Sequence, residues 1–106
     1  MIVNFKRGDT FEAVVRLRDD MGALVDLVAG GITCISQIRD SEDVLIQQLS
    51  VANDTAPTGK VLSATPAQTA AWPVEQLLWD VQWSKDGRVF STETMTIDVK
   101  KDVTQP

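Results

Sequence analysis

The side chains in this chain that could do chemistry are two carboxylate clusters, three tryptophans, one thiol and an Arg-Gly-Asp turn. Catalysis needs a nucleophile beside a base, or two acids whose environments split their pKa values. There is no His, so the commonest general base and the commonest metal ligand are both missing. The carboxylates gather at Asp19-Asp20 and at Asp40, Glu42 and Asp43. A calcium loop spaces its oxygens as D-x-[DN]-x-[DN]-G. Neither Asp20-Met21-Gly22 nor Asp40-Ser41-Glu42 keeps that spacing, and both read as solvated hairpin turns. Cys34 is the single cysteine, which excludes an internal disulfide, a thiolate zinc site and a CxxC redox pair. With apolar neighbours along a strand, it reads as a small buried hydrophobe. The chain therefore reads as non-enzymatic, with no catalytic, cofactor or metal residues and no small-molecule substrate.

Two constellations point to binding instead. Trp72, Trp79 and Trp83 would make a sugar-stacking platform if exposed, with Trp72 and Trp83 as the ligand-facing aromatics. Trp79 and Trp83, with Val81 between them, also have the spacing of core residues on one strand face. Arg7-Gly8-Asp9 spells a tripeptide of cell-adhesion binding. Its structural reading is a turn that Gly8 relaxes, Asp9 caps through its side chain, and Arg7 leaves solvated. Arg39 and Asp80 are placed to pair across strands, an exposed pair worth only a few tenths of a kcal/mol.

The elements that must position these residues are strands. Turn signals at Gly8-Asp9-Thr10, Asp19-Asp20-Met21-Gly22, Gly30-Gly31, Asn53-Asp54, Pro57-Thr58-Gly59 and Lys85-Asp86-Gly87 recur roughly every ten residues, the spacing of a sandwich or small barrel. Residues 77–83 alternate, with Leu77, Trp79, Val81 and Trp83 on one face and Asp80 and Gln82 on the other. Asp86-Gly87 supplies the positive φ angles of a tight hairpin. The return run, residues 88–99, slips its alternation near Phe90 and Ser91, which predicts a bulge or bend. Further strands are expected over 11–17, 32–39, 44–51 and 60–63, an edge strand over 2–6, and a short extended piece over 24–27.

One segment breaks the β pattern. Thr65 as N-cap, Pro66 at the first helical position and Gln68 completing a capping box predict one short helix near residues 65–72, stopped by Pro73. So short a helix needs tertiary support, expected from Trp72 packing over an end of the sandwich. The polar tail over 100–106 is expected to fray. The fold class is all-β: an immunoglobulin-like or Greek-key antiparallel β-sandwich of about seven strands, with a small closed barrel as the alternative. The expected core is Phe11, Val15, Leu17, Ile32, Cys34, Ile38, Leu45, Leu49, Leu62, Trp79, Val81, Ile97 and Val99.

Bulk properties bound the function. The 106 residues make one domain, spanning 1–106. Ten Lys and Arg against fifteen Asp and Glu, a net charge of −5, lack the electrostatic footprint of a nucleic-acid binder. No apolar run approaches the roughly 20 residues of a membrane helix, and the first six residues lack the pattern of a secretory signal. Ile2, Val3, Asn4 and Phe5, with only Lys6 as a blocking charge, form an unguarded candidate edge for joining a neighbouring subunit's sheet. A proline at Val3 is expected to abolish that joining and spare the fold.

The order of features adds a resemblance. Phe5-x-Arg7-Gly8-Asp9-Thr10-Phe11 leads into a strand, then Leu17-x-Asp19-x-x-Gly22 and Val25-Asp26-Leu27. Ile32 leads into Gln37-Ile38-Arg39, followed by Gln68-Thr69-x-x-Trp72-Pro73, Trp79-Asp80-Val81-Gln82, Gly87-Arg88-Val89 and Asp102-Val103-Thr104. This resembles small immunoglobulin-like β-sandwich proteins of tailed-phage and prophage structural modules, and the N-terminal domain of baseplate upper proteins. The resemblance implies a virion component without catalysis, made in the host cytoplasm: a baseplate, tail, neck or fibre-attachment subunit. Baseplate upper proteins continue into a stalk and receptor-binding platform. This sequence ends before one, so the expectation is an adaptor, decoration or accessory subunit. Its expected partners are other virion proteins, further copies of itself included, with no nucleic acid and no membrane. The alternatives are a carbohydrate- or receptor-binding module, and a soluble protein-binding module or inhibitor of a host protein.

Overall fold

A computed structural model describes residues 2–92 and 94–101. In chain order the strands are β1 (Ile2–Lys6), β2 (Phe11–Arg16), β3 (Thr33–Arg39), β4 (Leu45–Gln48), β5 (Ser50–Asn53), β6 (Gly59–Ala64), β7 (Gln76–Lys85), β8 (Arg88–Ser91) and β9 (Met95–Lys100). Helix α1 (Pro66–Thr69) lies between β6 and β7. The strands form two separate sheets, so the all-β sandwich holds and the closed barrel does not. The larger sheet has the order β1-β9-β7-β3-β4, with β8 also on β7; the smaller has the order β2-β6-β5.

Strand β7 is central because every second side chain is apolar. Leu77, Trp79, Val81 and Trp83 are buried, while Gln76, Leu78 and Gln82 face outward. At the turn to β8, Asp86 and Gly87 take φ of +50° and +79°, the positive values a two-residue hairpin turn of this hand requires.

Nine strands are described where about seven are expected, because two of the expected runs each divide. The return run divides into β8, opposite Gln82–Lys85, and β9, opposite Gln76–Trp79. Between the two pairings it carries one residue more than β7, the expected bulge. Thr92 fastens the break: its N–H donates to the Val81 carbonyl at 2.9 Å, and its hydroxyl accepts from the Val81 N–H at 3.1 Å. The run over 44–51 divides at Leu49. Its N–H still donates to the Ser36 carbonyl of β3 at 3.0 Å while its side chain is buried, and the next residue already pairs with β6. One run thus crosses between the sheets.

Three further expectations are corrected. β1 pairs parallel to β9, so the sandwich is not purely antiparallel. Leu45 is 44% exposed, because the register slips between Ile38 and Arg39 and leaves Leu45 opposite Arg39 on the outer face. Residues 24–27 give only a single bridge, Arg18 to Leu24. The Asp26 carboxylate then accepts from the N–H groups of Val28 and Ala29 and bends the chain, leaving Leu27 buried.

Helix α1 starts as its residues predict. The Thr65 hydroxyl accepts from the Gln68 N–H at 3.2 Å, and the Gln68 side chain accepts from the Thr65 N–H at 2.9 Å. Trp72 anchors it, fully buried against Phe5 and Phe11 at ring-centre distances of 5.3 and 5.6 Å. Lys100 belongs to β9 rather than to a frayed tail; the rest of that expectation, beyond Lys101, lies outside the described residues.

Candidate functional site

The edge strand β1 is the first candidate. It ends the larger sheet, with β9 on one side and no described strand on the other. The Arg7 N–H donates to the Lys100 carbonyl at 3.0 Å, which sets the parity of the parallel ladder. Val3, Phe5 and Arg7 turn their peptide groups toward β9; Ile2, Asn4 and Lys6 turn theirs to the open side. The side chains divide the same way. Val3 and Phe5 lie half-buried on the core, and Ile2 stands 62% exposed on the outer face. Chain and open edge together present what an added strand needs: outward donors and acceptors at Ile2 and Asn4, the outward N–H of Lys6, whose carbonyl already accepts from the Asp9 N–H at 3.3 Å, and a partly uncovered apolar row beneath. This parity corrects the proline argument. A proline at Val3 removes a ladder donor to β9, whereas one at Asn4 removes only an outward one.

Charge collects at the same end. Lys6 and Arg7 on the β1 side and Lys100 and Lys101 on the β9 side are four of the chain's ten Lys and Arg. Asp98 engages Lys100 at 2.9 Å.

The Arg-Gly-Asp turn is held through backbone. Gly8 takes a φ of +89°, and its N–H donates to the Thr69 hydroxyl at 2.9 Å. That hydroxyl donates to the Asp9 carbonyl at 2.7 Å. The turn is thus capped by a buried threonine of α1 rather than by the Asp9 side chain, and it ties β1 and β2 to the helix.

Trp72 and Trp83 are each 1% exposed, so neither meets a ligand and the stacking platform is withdrawn. Trp83 lies on the inward face of β7, and Trp72 follows α1 into the aromatic cluster with Phe5 and Phe11. The Trp72 N–H donates to the Gln47 side chain at 3.3 Å; the Trp83 N–H is buried with no acceptor among the described residues.

On the outer face of the larger sheet, Gln37, Arg39, Asp43, Leu78, Asp80 and Gln82 line a half-open groove of about 290 Å³. Arg39 does not pair with Asp80. It stands opposite Leu78 and binds Asp43 instead, through the carboxylate at 3.8 Å and the carbonyl at 2.9 Å, with Gln37 at 2.9 Å. Among the described residues no three His, Cys, Asp or Glu converge as a metal site would require. The carboxylates of Asp19 and Asp40 each accept two backbone N–H groups of their own turns, the turn-capping role that their sequence predicts. Cys34 is half-buried opposite Trp83; burial pushes its thiol up to about 11, against a smaller downward pull from Lys60.

Besides β4, β2 and β5, which also end their sheets, β8 is an open edge that escaped the sequence reading. β8 is exposed throughout, with Val89 58% and Phe90 42% exposed. The alternation slip at Phe90 and Ser91 was its signal: the bulge that follows carries β9 past β8 to meet β1, and β8 is left uncovered.

Fold and edge define the class: a two-sheet β-sandwich whose partly apolar first strand pairs on one side and is open on the other. No protein-family model and no curated protein matches the chain. Among solved structures its fold is similar to the N-terminal domain of phage TP901-1 ORF48, with a TM-score of 0.61 and 18% identity over 95% of this chain and 86% of that one. It is also similar to CopC from Methylosinus trichosporium OB3b, with a TM-score of 0.52 and 14% identity over 96% of this chain and 90% of that one. The resemblance to a phage sandwich domain therefore holds at the level of the fold, and at such identities a fold does not carry a function with it. Among the described residues no helix is long and apolar enough to cross a membrane.

Proposed function

We propose that this protein is a non-enzymatic structural subunit of a tailed-phage particle, in the baseplate, tail, neck or fibre-attachment and decoration group, acting through protein–protein contacts. The observation that carries the reading is the open β1 edge. A five-residue strand with outward peptide groups at Ile2, Asn4 and Lys6 is a template for a neighbouring sheet, which monomers blunt and assemblies use. The fold likeness to a phage domain supports the particle as the place where that neighbour is found.

The test is quantitative mass spectrometry of purified particles. Copies in multiples of three, five, six or twelve, lost in the Asn4→Pro variant, are expected for a symmetric ring or vertex. Absence of the chain from clean particles overturns the reading.

A second reading, a carbohydrate- or receptor-binding module, draws on the outer-face groove, where Gln37, Arg39, Asp80 and Gln82 offer planar polar groups. Trp79 lines the groove but is only 5% exposed with its ring packed on Phe11, and Trp83 faces the core, so neither gives this reading an open stacking face. Glycan arrays test it directly.

A further inference from the structure

Resting on the strand-addition reading, we propose that the segment that adds to β1 is an acidic extended strand of a different protein. It would carry apolar residues opposite Val3 and Phe5 and Asp or Glu opposite Lys6. The apolar requirement follows from parity. Cα partners in a ladder share a face, so residues opposite Val3 and Phe5 fall on the core side, where both side chains remain partly uncovered. The acidic requirement follows from charge. Of the four cations at this end, only Lys100 has a carboxylate partner; among the described residues Lys6, Arg7 and Lys101 have none. The acidic residues nearby in the chain are Asp98, already on Lys100, Asp9 in the turn, and Asp102, which lies outside the described residues. A chain with net charge −5 thus places at one end of its open edge three cations that have no carboxylate partner among the described residues.

Neither edge protection nor self-association accounts for this charge as well. A lysine that guards an edge against pairing works from within the strand. Lys6 is the last residue of β1 and leaves Ile2 to Phe5 unguarded. Pairing with β1 of a second copy does not satisfy the charge. Antiparallel pairing centred on Asn4 sets Lys6 opposite Ile2 of the other copy, and parallel in-register pairing sets Lys6 on Lys6. In neither does a carboxylate stand opposite Lys6. Charge complementarity therefore selects a partner of opposite sign.

The experiment is a selection of random displayed peptides on the folded protein, discarding those that also bind Asn4→Pro. The expected survivors alternate apolar residues and carry Asp or Glu at one end of the alternating stretch, the C-terminal end if they add parallel and the N-terminal end if antiparallel. They weaken about tenfold or more on the Lys6→Glu/Arg7→Glu double variant, and weaken on raising salt from about 0.1 M to about 1 M. Hydrogen exchange on the unmodified protein gives the second readout: bound peptide is expected to protect the amides of Asn4 and Lys6. Survivors with no acidic preference, or with affinity unchanged by the charge reversal, overturn the acidic partner and leave strand addition standing. If no peptide is both sensitive to Asn4→Pro and protective of those amides, strand addition falls, and this inference with it.

Discussion

The hydroxyl of Ser36 accepts the indole N–H of Trp79 at 2.7 Å and donates to the Asp80 carbonyl at 2.7 Å, so one buried serine joins β3 to the outer course of β7. Trp83, four residues on and on the same face, buries the same N–H with no acceptor among the described residues. The two tryptophans therefore respond differently to losing that group. Ser36→Ala strands the Trp79 N–H and is expected to cost about 1–3 kcal/mol, read from the urea midpoint. Trp79→Phe is expected to cost more than Trp83→Phe, since the first breaks a bond and the second removes an unsatisfied donor. Equal costs would mean that ring volume alone decides.

Thr69 joins three segments through one oxygen. It accepts from Gly8, donates to the Asp9 carbonyl, and lies 3.3 Å from the Pro66 carbonyl. Thr69→Val keeps the volume and removes all three contacts. The expected loss is about 1–3 kcal/mol, because a buried N–H and a carbonyl go unpaired. Amide exchange localises it: protection should fall at Gly8 and stay unchanged in β7.

Much of this was legible in the residues. Asp86-Gly87, the Thr65-Pro66-x-Gln68 cap and the alternation of Leu77, Trp79, Val81 and Trp83 are local signals, and each folds as it reads. What was hidden depends on pairing. Leu45 looks like a core residue until the slip beside Ile38 turns it outward, and the crossing at Leu49 has no local marker. The candidate edge at Ile2 to Phe5 was visible, but its parity was not. That parity follows from a parallel partner nearly a hundred residues away, which periodicity cannot reveal. Trp72 and Trp83 show the same limit from the other side: their type suggests a platform, and only packing shows that both are interior.

Cys34 carries a thiol raised to about 11 by burial, with the charge of Lys60 opposing. A raised folded pKa means that the folded state holds its proton more tightly than the unfolded chain. The thiol's contribution to stability is complete below the unfolded value, near 9, and is lost as pH climbs toward about 11. Wild type is expected to lose stability over that window more steeply than Cys34→Ala. In the folded protein alkylation at neutral pH should be slow, and denaturant should release it. Fast labelling of the native protein would contradict the burial.

Gly87 holds a φ of +79° with nothing within 4 Å of where a Cβ would stand. Any cost of Gly87→Ala is therefore conformational, about 1–2 kcal/mol. Thermal melting should register it, and a D-alanine at the same position should restore stability. A loss that D-alanine fails to repair would point to a steric contact instead.

The two proline variants of β1 separate folding from assembly. The Val3 N–H points into the β9 ladder, so Val3→Pro removes a bond the fold itself uses and strands a β9 carbonyl, at about 1–3 kcal/mol. The Asn4 N–H points to the open side, where proline is tolerated on edge strands. Asn4→Pro is therefore expected to melt within a few degrees of wild type, Val3→Pro several degrees lower. Only Asn4→Pro isolates the open edge: a particle that loses this chain in Asn4→Pro, with melting unchanged, has lost a contact rather than a folded subunit. Melting that falls equally in both variants would place the Asn4 N–H in a bond within the fold, and the edge would not be open.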